Sequence, residues 1–457
     1  MGNLVFYLRP VSEAFTIGQT GRKWVAIGFV SRCPGARRIF LSSLCFAILP
    51  MMAGTVADSG EPWRRHSIHS GLAGADGVRA ADVNGDGYMD LVTGWEEASR
   101  VIIYLNPGPK TVHRPWQRIE FGNMKDVEDA VLVDLDGDGA MDAVCCSEGD
   151  TRGIFIQWAP SSQASYADAS KWRRETISAA SGQQWMFCQP GFIGGPQRPG
   201  LIVGSKGDRA TVAYLAPPVD PRRGNDWKLH KLSPAVWIMS IALEDMDGDG
   251  DQDVLISDRK GPQRGVRWLE NPGVADLLQG AWESHGGGAA NAGDSVMFLD
   301  IGDLDGNGRR DIVTASEHEG VIFLRRRNRA GSRWVSKSVL LPPAAGRGKG
   351  VAIGDVDLDG HLDVVVSCER AKDGKVGVWW IRGPVLSREP VGFVNISGAP
   401  GEKFDLVLLL DLDRDGDLDV ITTEERDATF GTIRGMGRGL GMIWYENPTR
   451  QAARLPD

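Results

Sequence analysis

The sequence predicts an all-β protein, a seven-bladed β-propeller of four-stranded blades whose N-terminal strand closes the last blade. Three observations carry this: an Asp/Gly-rich segment that recurs at a near-constant interval, apolar strands flanking each copy, and a Trp-opened strand ahead of the first copy. The segments begin at Asp82, Asp134, Asp245, Asp303, Asp355 and Asp411, with spacings of 52, 111, 58, 52 and 56. The double gap holds a seventh copy stripped of its acids, in which Phe192, Gly194, Pro196 and Gly200 stand where the others carry aspartate. With it the intervals become 52, 58, 53, 58, 52 and 56, and seven units fill residues 63–448.

Each unit reads as a four-stranded meander. An apolar strand precedes the loop, as in Val131-Leu132-Val133, and a β-branched one follows it, as in Asp363-Val364-Val365-Val366. A third strand ends in Tyr or Trp and often Asn-Pro, as in Tyr104 to Pro107, Trp268 to Pro272 and Trp444 to Pro448. A fourth opens with Trp63, Trp116, Trp172, Trp227 or Trp334. Radial packing of such sheets hides their edges, which selects a propeller; an open solenoid has shorter repeats. The last unit, from Asp411 to Pro448, has three strands, so the strand after Trp63 is expected to complete it.

Composition agrees. Gly is 59 of 457 residues, near twice average usage and suited to many tight turns. Lys+Arg 51 against Asp+Glu 60 leaves no polybasic stripe, which argues against nucleic acid as partner. One apolar run, 39–54, approaches membrane length, which excludes a multispan membrane protein. Arg37-Arg38 before that run and Thr55-Val56-Ala57 after it describe a secretory signal peptide within a leader of residues 1–57, cut after Ala57. The expected mature chain, 58–457, is therefore a single propeller that is secreted, periplasmic or at the cell surface. Removing the leader moves the formal charge from −9 to −14. Cys145, Cys146, Cys188 and Cys368 remain, too few for a disulfide scaffold, and their pairing is open.

The loops are expected to be calcium sites. Carboxylates or Asn at positions 1, 3, 5 and 9, with Gly at 6 and usually at 4, suit a hard cation that takes six to eight oxygens. The expected ligands are Asp82, Asn84, Asp86 and Asp90; Asp134, Asp136, Asp138 and Asp142; Asp245, Asp247, Asp249 and Asp253; Asp303, Asp305, Asn307 and Asp311; Asp355, Asp357, Asp359 and Asp363; Asp411, Asp413, Asp415 and Asp419. An EF-hand would need Glu at position 12, where Thr93, Cys145, Ile256, Thr314, Val366 and Thr422 stand instead. One such loop alone reads as a solvated turn. Six in register, holding 24 carboxylates, call for a counter-ion. Up to six Ca²⁺ in a structural role, bound at about 10⁻⁴–10⁻³ M as in extracellular modules, would bring the mature charge to about −2.

These loops, above all Val351 to Val365, resemble the FG-GAP or VCBS repeats of secreted bacterial proteins, related in blade design to the integrin α-subunit propeller. The resemblance covers roughly residues 63–448. It implies seven blades with calcium in the loop joining strands one and two, and no calcium near Phe192 to Gly200. It constrains the fold far better than the function.

A ligand is expected on the face opposite the calcium loops. Five or six residues after each loop comes an acid, Glu96, Glu148, Asp258, Glu317, Glu369 or Glu424, with Lys206 in the degenerate unit. Blade-to-blade loops add Arg79, Lys125, Trp185, Trp237, Lys349 and Lys403, a mixture suited to a sugar. Shared ancestry and a solvated rim would leave the same acids. Glu317-His318-Glu319 is the best catalytic candidate, with His69 from the closing strand as a third member. No serine or cysteine nucleophile motif, phosphate loop or zinc signature stands out. Two function classes follow: a monomeric, noncatalytic module binding a glycan or extracellular protein, which is favoured, and a carbohydrate-active enzyme, a polysaccharide lyase or sugar dehydratase.

Overall fold

The computed structural model describes residues 60–195, 198–286, 295–318, 320–387, 391–426 and 439–452, with short strands at Val5–Leu8, Thr16–Thr20, Lys23–Gly28 and Val56–Asp58. The apolar run of the expected leader lies outside these residues. The chain divides into two units, Met1–Met52 and Ala53–Asp457. In the first, Lys23–Gly28 pairs parallel with Val5–Leu8 and antiparallel with Thr16–Thr20.

The second unit is the propeller: seven four-stranded antiparallel blades in a ring. From blade one the inner strands are Ala75–Ala81, Val127–Val133, Gln184–Gly191, Ile238–Glu244, Val296–Gly302, Arg347–Gly354 and Lys403–Leu410. Each packs on the next, and Lys403–Leu410 packs back on Ala75–Ala81, closing the ring. All seven carry a register shift against the second strand of their blade, for instance between Asp76 and Arg79 and between Phe404 and Val407. Such bulges add twist and re-aim side chains.

Second strands such as Asp311–Ser316 are buried at every position, because a blade lies against each of their faces. That is why they read as unbroken β-branched runs rather than alternating ones. Fourth strands such as Arg64–His69 are largely exposed and alternate. The tryptophan opening the fourth strand pins the preceding loop: indole N–H groups of Trp116, Trp172 and Trp227 donate to Val112, Tyr166 and Pro221 carbonyls at 2.9, 3.0 and 2.9 Å. Trp282, whose role the repeats did not announce, does the same to Leu277 at 3.2 Å.

The ring closes as the sequence predicts. Arg64–His69 pairs antiparallel with Gly441–Glu446, setting His66 opposite Trp444 and Arg64 opposite Glu446. Val56–Asp58, which straddles the end of the expected leader at Ala57, pairs parallel with Gly392–Asn395 as a fifth strand beside blade six. Cleavage after Ala57 would remove two of its three residues. The four cysteines at 145, 146, 188 and 368 are free and buried. No helix among the described residues is long and apolar enough to cross a membrane.

Candidate metal loops and ligand face

The six acidic loops fold alike. Position 6 is a glycine with positive φ in each, from 78° at Gly308 to 104° at Gly250. Position 4 is left-handed as well, at Gly85, Gly137, Gly248 and Gly306 and even at Leu358 (61°) and Arg414 (55°), where a Cβ makes that conformation costly. The turn is held by carboxylates accepting nearby backbone N–H groups: Asp82 from Gly87 at 2.9 Å, Asp134 from Gly139 at 2.9 Å, Asp355 from Gly360 at 3.0 Å. Position 1 thereby faces positions 3 and 5. Oxygens of Asp245, Asp247 and Asp249 fall within 4.8 Å of one another, as do those of Asp134, Asp136 and Asp142. Asp251 Oδ1 and Asp355 Oδ1 are buried with no hydrogen-bond donor. An all-oxygen cluster with orphaned acceptors fits Ca²⁺. Two loops already hold an internal cation: Arg222 reaches Asp136 and, at 3.0 Å, Asp138, and Arg325 reaches Asp305.

Position 9 does more than the sequence predicts. Both oxygens of each of these aspartates accept a backbone N–H, one at position 2 of the loop and one where the third strand ends. Asp253 accepts from Met246 and Asn271, both at 2.8 Å, and Asp419 from Leu412 at 3.0 Å and Asn447 at 2.9 Å. Asp90, Asp142, Asp311 and Asp363 repeat the pattern. Burial pushes the Asp142 and Asp419 carboxyls up to about 8 and those of Asp90 and Asp253 to about 7, while the two N–H donors pull the other way.

The opposite face carries a ring of alternating charges. Lys206 pairs with Glu148, Arg259 with Glu317, and Arg347 with Glu317 at 3.6 Å and with Glu369 at 2.8 Å. Lys403 joins Glu425 and, at 3.8 Å, Asp76. The ring is polarised. On one side Lys206, Arg259 and Lys260 surround the half-exposed Trp237, at 4.7, 5.1 and 4.1 Å from its ring. On the other, Asp76, Glu96 and Glu97 converge within 4.8 Å. Burial, then the charges of Asp76 and Glu97, push Glu96 up to about 8.

Residues 82–145 and 303–366 match the FG-GAP-like repeat family. Two segments of this β-propeller are thus similar to FG-GAP-like repeats. Two crystal structures of BBS1N in complex with ARL6DN, one soaked with mercury and one with lead, are similar to it at 10% and 11% identity. They cover 84% of this chain and 97% and 98% of theirs, with TM-scores of 0.48 and 0.47. A comparison with curated proteins gives no match.

The propeller sorts the expected ligand-face residues by depth. Glu96, Glu148, Glu369, Lys403, Trp237 and the exposed Lys125 reach the rim. Trp185 does not: it is core, its indole N–H donating to Ala180 at 2.6 Å. Asp258 and Glu424 are also buried, accepting from Trp237 and Glu402 backbone N–H groups at 2.9 and 2.6 Å. On the inner strands, Arg79 follows its bulge and Lys349 lies within one, paired with Asp129 (3.1 Å) and Asp405 respectively. The catalytic candidates do not assemble. Glu317 and the exposed His318 stand on blade five, whereas His69, at the seam of blades seven and one, contacts Tyr104 Oη at 2.9 Å and Arg118 at 2.6 Å. Glu319 lies outside the described residues. Burial raises the Glu317 carboxyl, but Arg259 and Arg347 outweigh it and hold the group below its ordinary value, a fixed anion rather than a proton shuttle. The central channel also widens on the metal-loop face, into a cavity of about 790 Å³ lined by Leu132, Phe192, Leu243 and Leu299, with Arg79 and Asp300 among its polar walls.

Proposed function

We propose that this propeller is an extracytoplasmic binding module, stabilised by calcium in its acidic loops, that takes a glycan or protein ligand on the polarised face. The observation that carries the reading is Trp237 ringed by three cations, of which Lys206 and Arg259 also pair with Glu148 and Glu317. An indole offers a stacking surface for a sugar ring or an aliphatic side chain, and the cations favour a ligand with carboxylates. The alternative, a carbohydrate-active enzyme on the same face, loses its best base with Glu317 held as a fixed anion.

Binding of acidic and neutral polysaccharides, followed together with the ultraviolet absorbance of unsaturated sugar, tests this. An acidic glycan is expected to bind without a rise in absorbance, with affinity about tenfold lower in Trp237→Ala, roughly the 1.4 kcal/mol of one lost stacking contact. Loss confined to Phe192→Asp would move the site to the cavity on the loop face. A rise in absorbance would make the protein a lyase.

The calcium half has its own test. Chelator is expected to lower the melting temperature and calcium to restore it, each site adding about 1.4 kcal/mol at ten times its Kd. A melting curve indifferent to both would remove calcium from the account.

A further inference from the structure

We propose that His66, His113 and Glu446 form a site for a Zn²⁺-class transition-metal ion that clips the closing strand of the propeller. The three come from distant parts of the chain. His66 lies on the closing strand, Glu446 ends the strand it pairs with, and His113 lies in the loop before the fourth strand of blade one. Their ligand atoms fall within 4.8 Å of one another. Glu446 Oε2 is 2.6 Å from His66 Nε2 and 3.5 Å from His113 Nε2.

Two imidazole nitrogens and one carboxylate oxygen are a Zn²⁺ donor set that leaves a fourth position for water, whereas Ca²⁺ takes oxygen almost alone. Ligands at about 2.0–2.1 Å from a tetrahedral ion stand about 3.4 Å apart, the spacing His113 and Glu446 already have. Between His66 and Glu446 the ion replaces a hydrogen bond and the pair opens by about 0.8 Å. The place is prepared for it. Glu446 and His66 are nearly buried, and His66 stacks on Trp444 at 4.4 Å, which fixes its ring. His113 is 41% exposed and gives the entry path. The competing Arg64 is 3.9 Å from Glu446 and exposed.

Blade four supplies an internal control. There His285 stacks on Trp268 at 4.2 Å and meets Glu270 at 2.7 Å, the same Trp-His-Glu arrangement. Its third neighbour is the exposed Glu283 at 3.9 Å rather than a second histidine. The pair is thus a blade feature, and the second imidazole belongs to the seam.

The full chain, freed of transition metals and kept in saturating calcium, is titrated with Zn²⁺ in thermal melts and with Co²⁺ in visible spectroscopy. Wild type is expected to melt higher with Zn²⁺ and to give the visible band of low-coordinate Co²⁺. Both signals should weaken in the loop variant His113→Ala by more than the roughly 10–100-fold in affinity that outer-shell changes cost. Both should persist in His285→Ala. His66→Gln keeps the hydrogen bond to Glu446 and should lose the metal without losing the fold. Signals unchanged by His113→Ala, or abolished by His285→Ala, would overturn the proposal.

Discussion

Asp253→Ala is expected to destabilise the propeller by about 4 kcal/mol, because it orphans two buried N–H groups at about 1–3 kcal/mol each. Met246 N–H and Asn271 N–H both end on this carboxylate at 2.8 Å, inside a residue that is 1% exposed. The first belongs to the loop and the second to the end of the third strand, so one side chain ties three segments of blade four together. Asp249, four positions before the strand in the same loop, is exposed and accepts Asp251 N–H at 3.0 Å. Asp249→Ala should therefore cost less than about 1 kcal/mol without calcium and show its loss only when calcium is added. Urea unfolding of both variants, with calcium and with chelator, separates the roles. Equal losses in chelator would mean that position 9 is a metal ligand and no more.

A chain starting at residue 70 is expected to fail to fold, while one starting at residue 60 folds. The difference is the strand Arg64–His69 with Trp63 before it. Trp63 is buried beside Trp380 at 6.2 Å, and its backbone N–H donates to Ile396 at 3.0 Å. Without them Gly441–Glu446 becomes a bare edge, with the ring contacts of His66 and the cover over Tyr445 gone. An open apolar edge is a template for aggregation. Soluble yield and circular dichroism of the two chains decide the matter; a soluble, cooperatively melting chain from residue 70 would show that blade seven closes without its outer strand. The start at 60 also drops Val56–Asp58, whose three parallel pairs lie outside blade seven.

The ring was legible because it is periodic. Interval, strand type and the lone Trp63 strand together imply blade number and closure, and hydrophobic pattern separated second strands from fourth. Depth was not legible. Trp185 and Trp237 both read as blade-to-blade residues in the sequence, yet Trp185 lies within its inner strand opposite Ser205 and is core, whereas Trp237 stands just ahead of the strand Ile238–Glu244 and carries the cations. Likewise Glu424 and Glu96 follow their loops at like spacing, and only the former is sealed by the N–H of Glu402. Position 9 read as one ligand among four because sequence shows a carboxylate but not the N–H groups that donate to it. His66, His113 and Glu446 had no motif at all, being separated by 47 and 333 residues and joined only by closure.

That closure also has a consequence in time. His66 and Glu446 meet across 380 residues, so during synthesis at about 5–20 residues per second the first strand waits roughly 20–80 s for its partner. Six blades can form from neighbouring chain as it emerges, but the seventh cannot. A ribosome that stalls before Glu446 holds a nearly complete ring with its earliest-made segment still unclaimed, and a second nascent chain on the same message offers the same segment. Polysome spacing, and not only the sequence, then bears on whether each ring is closed by its own beginning or by its neighbour's.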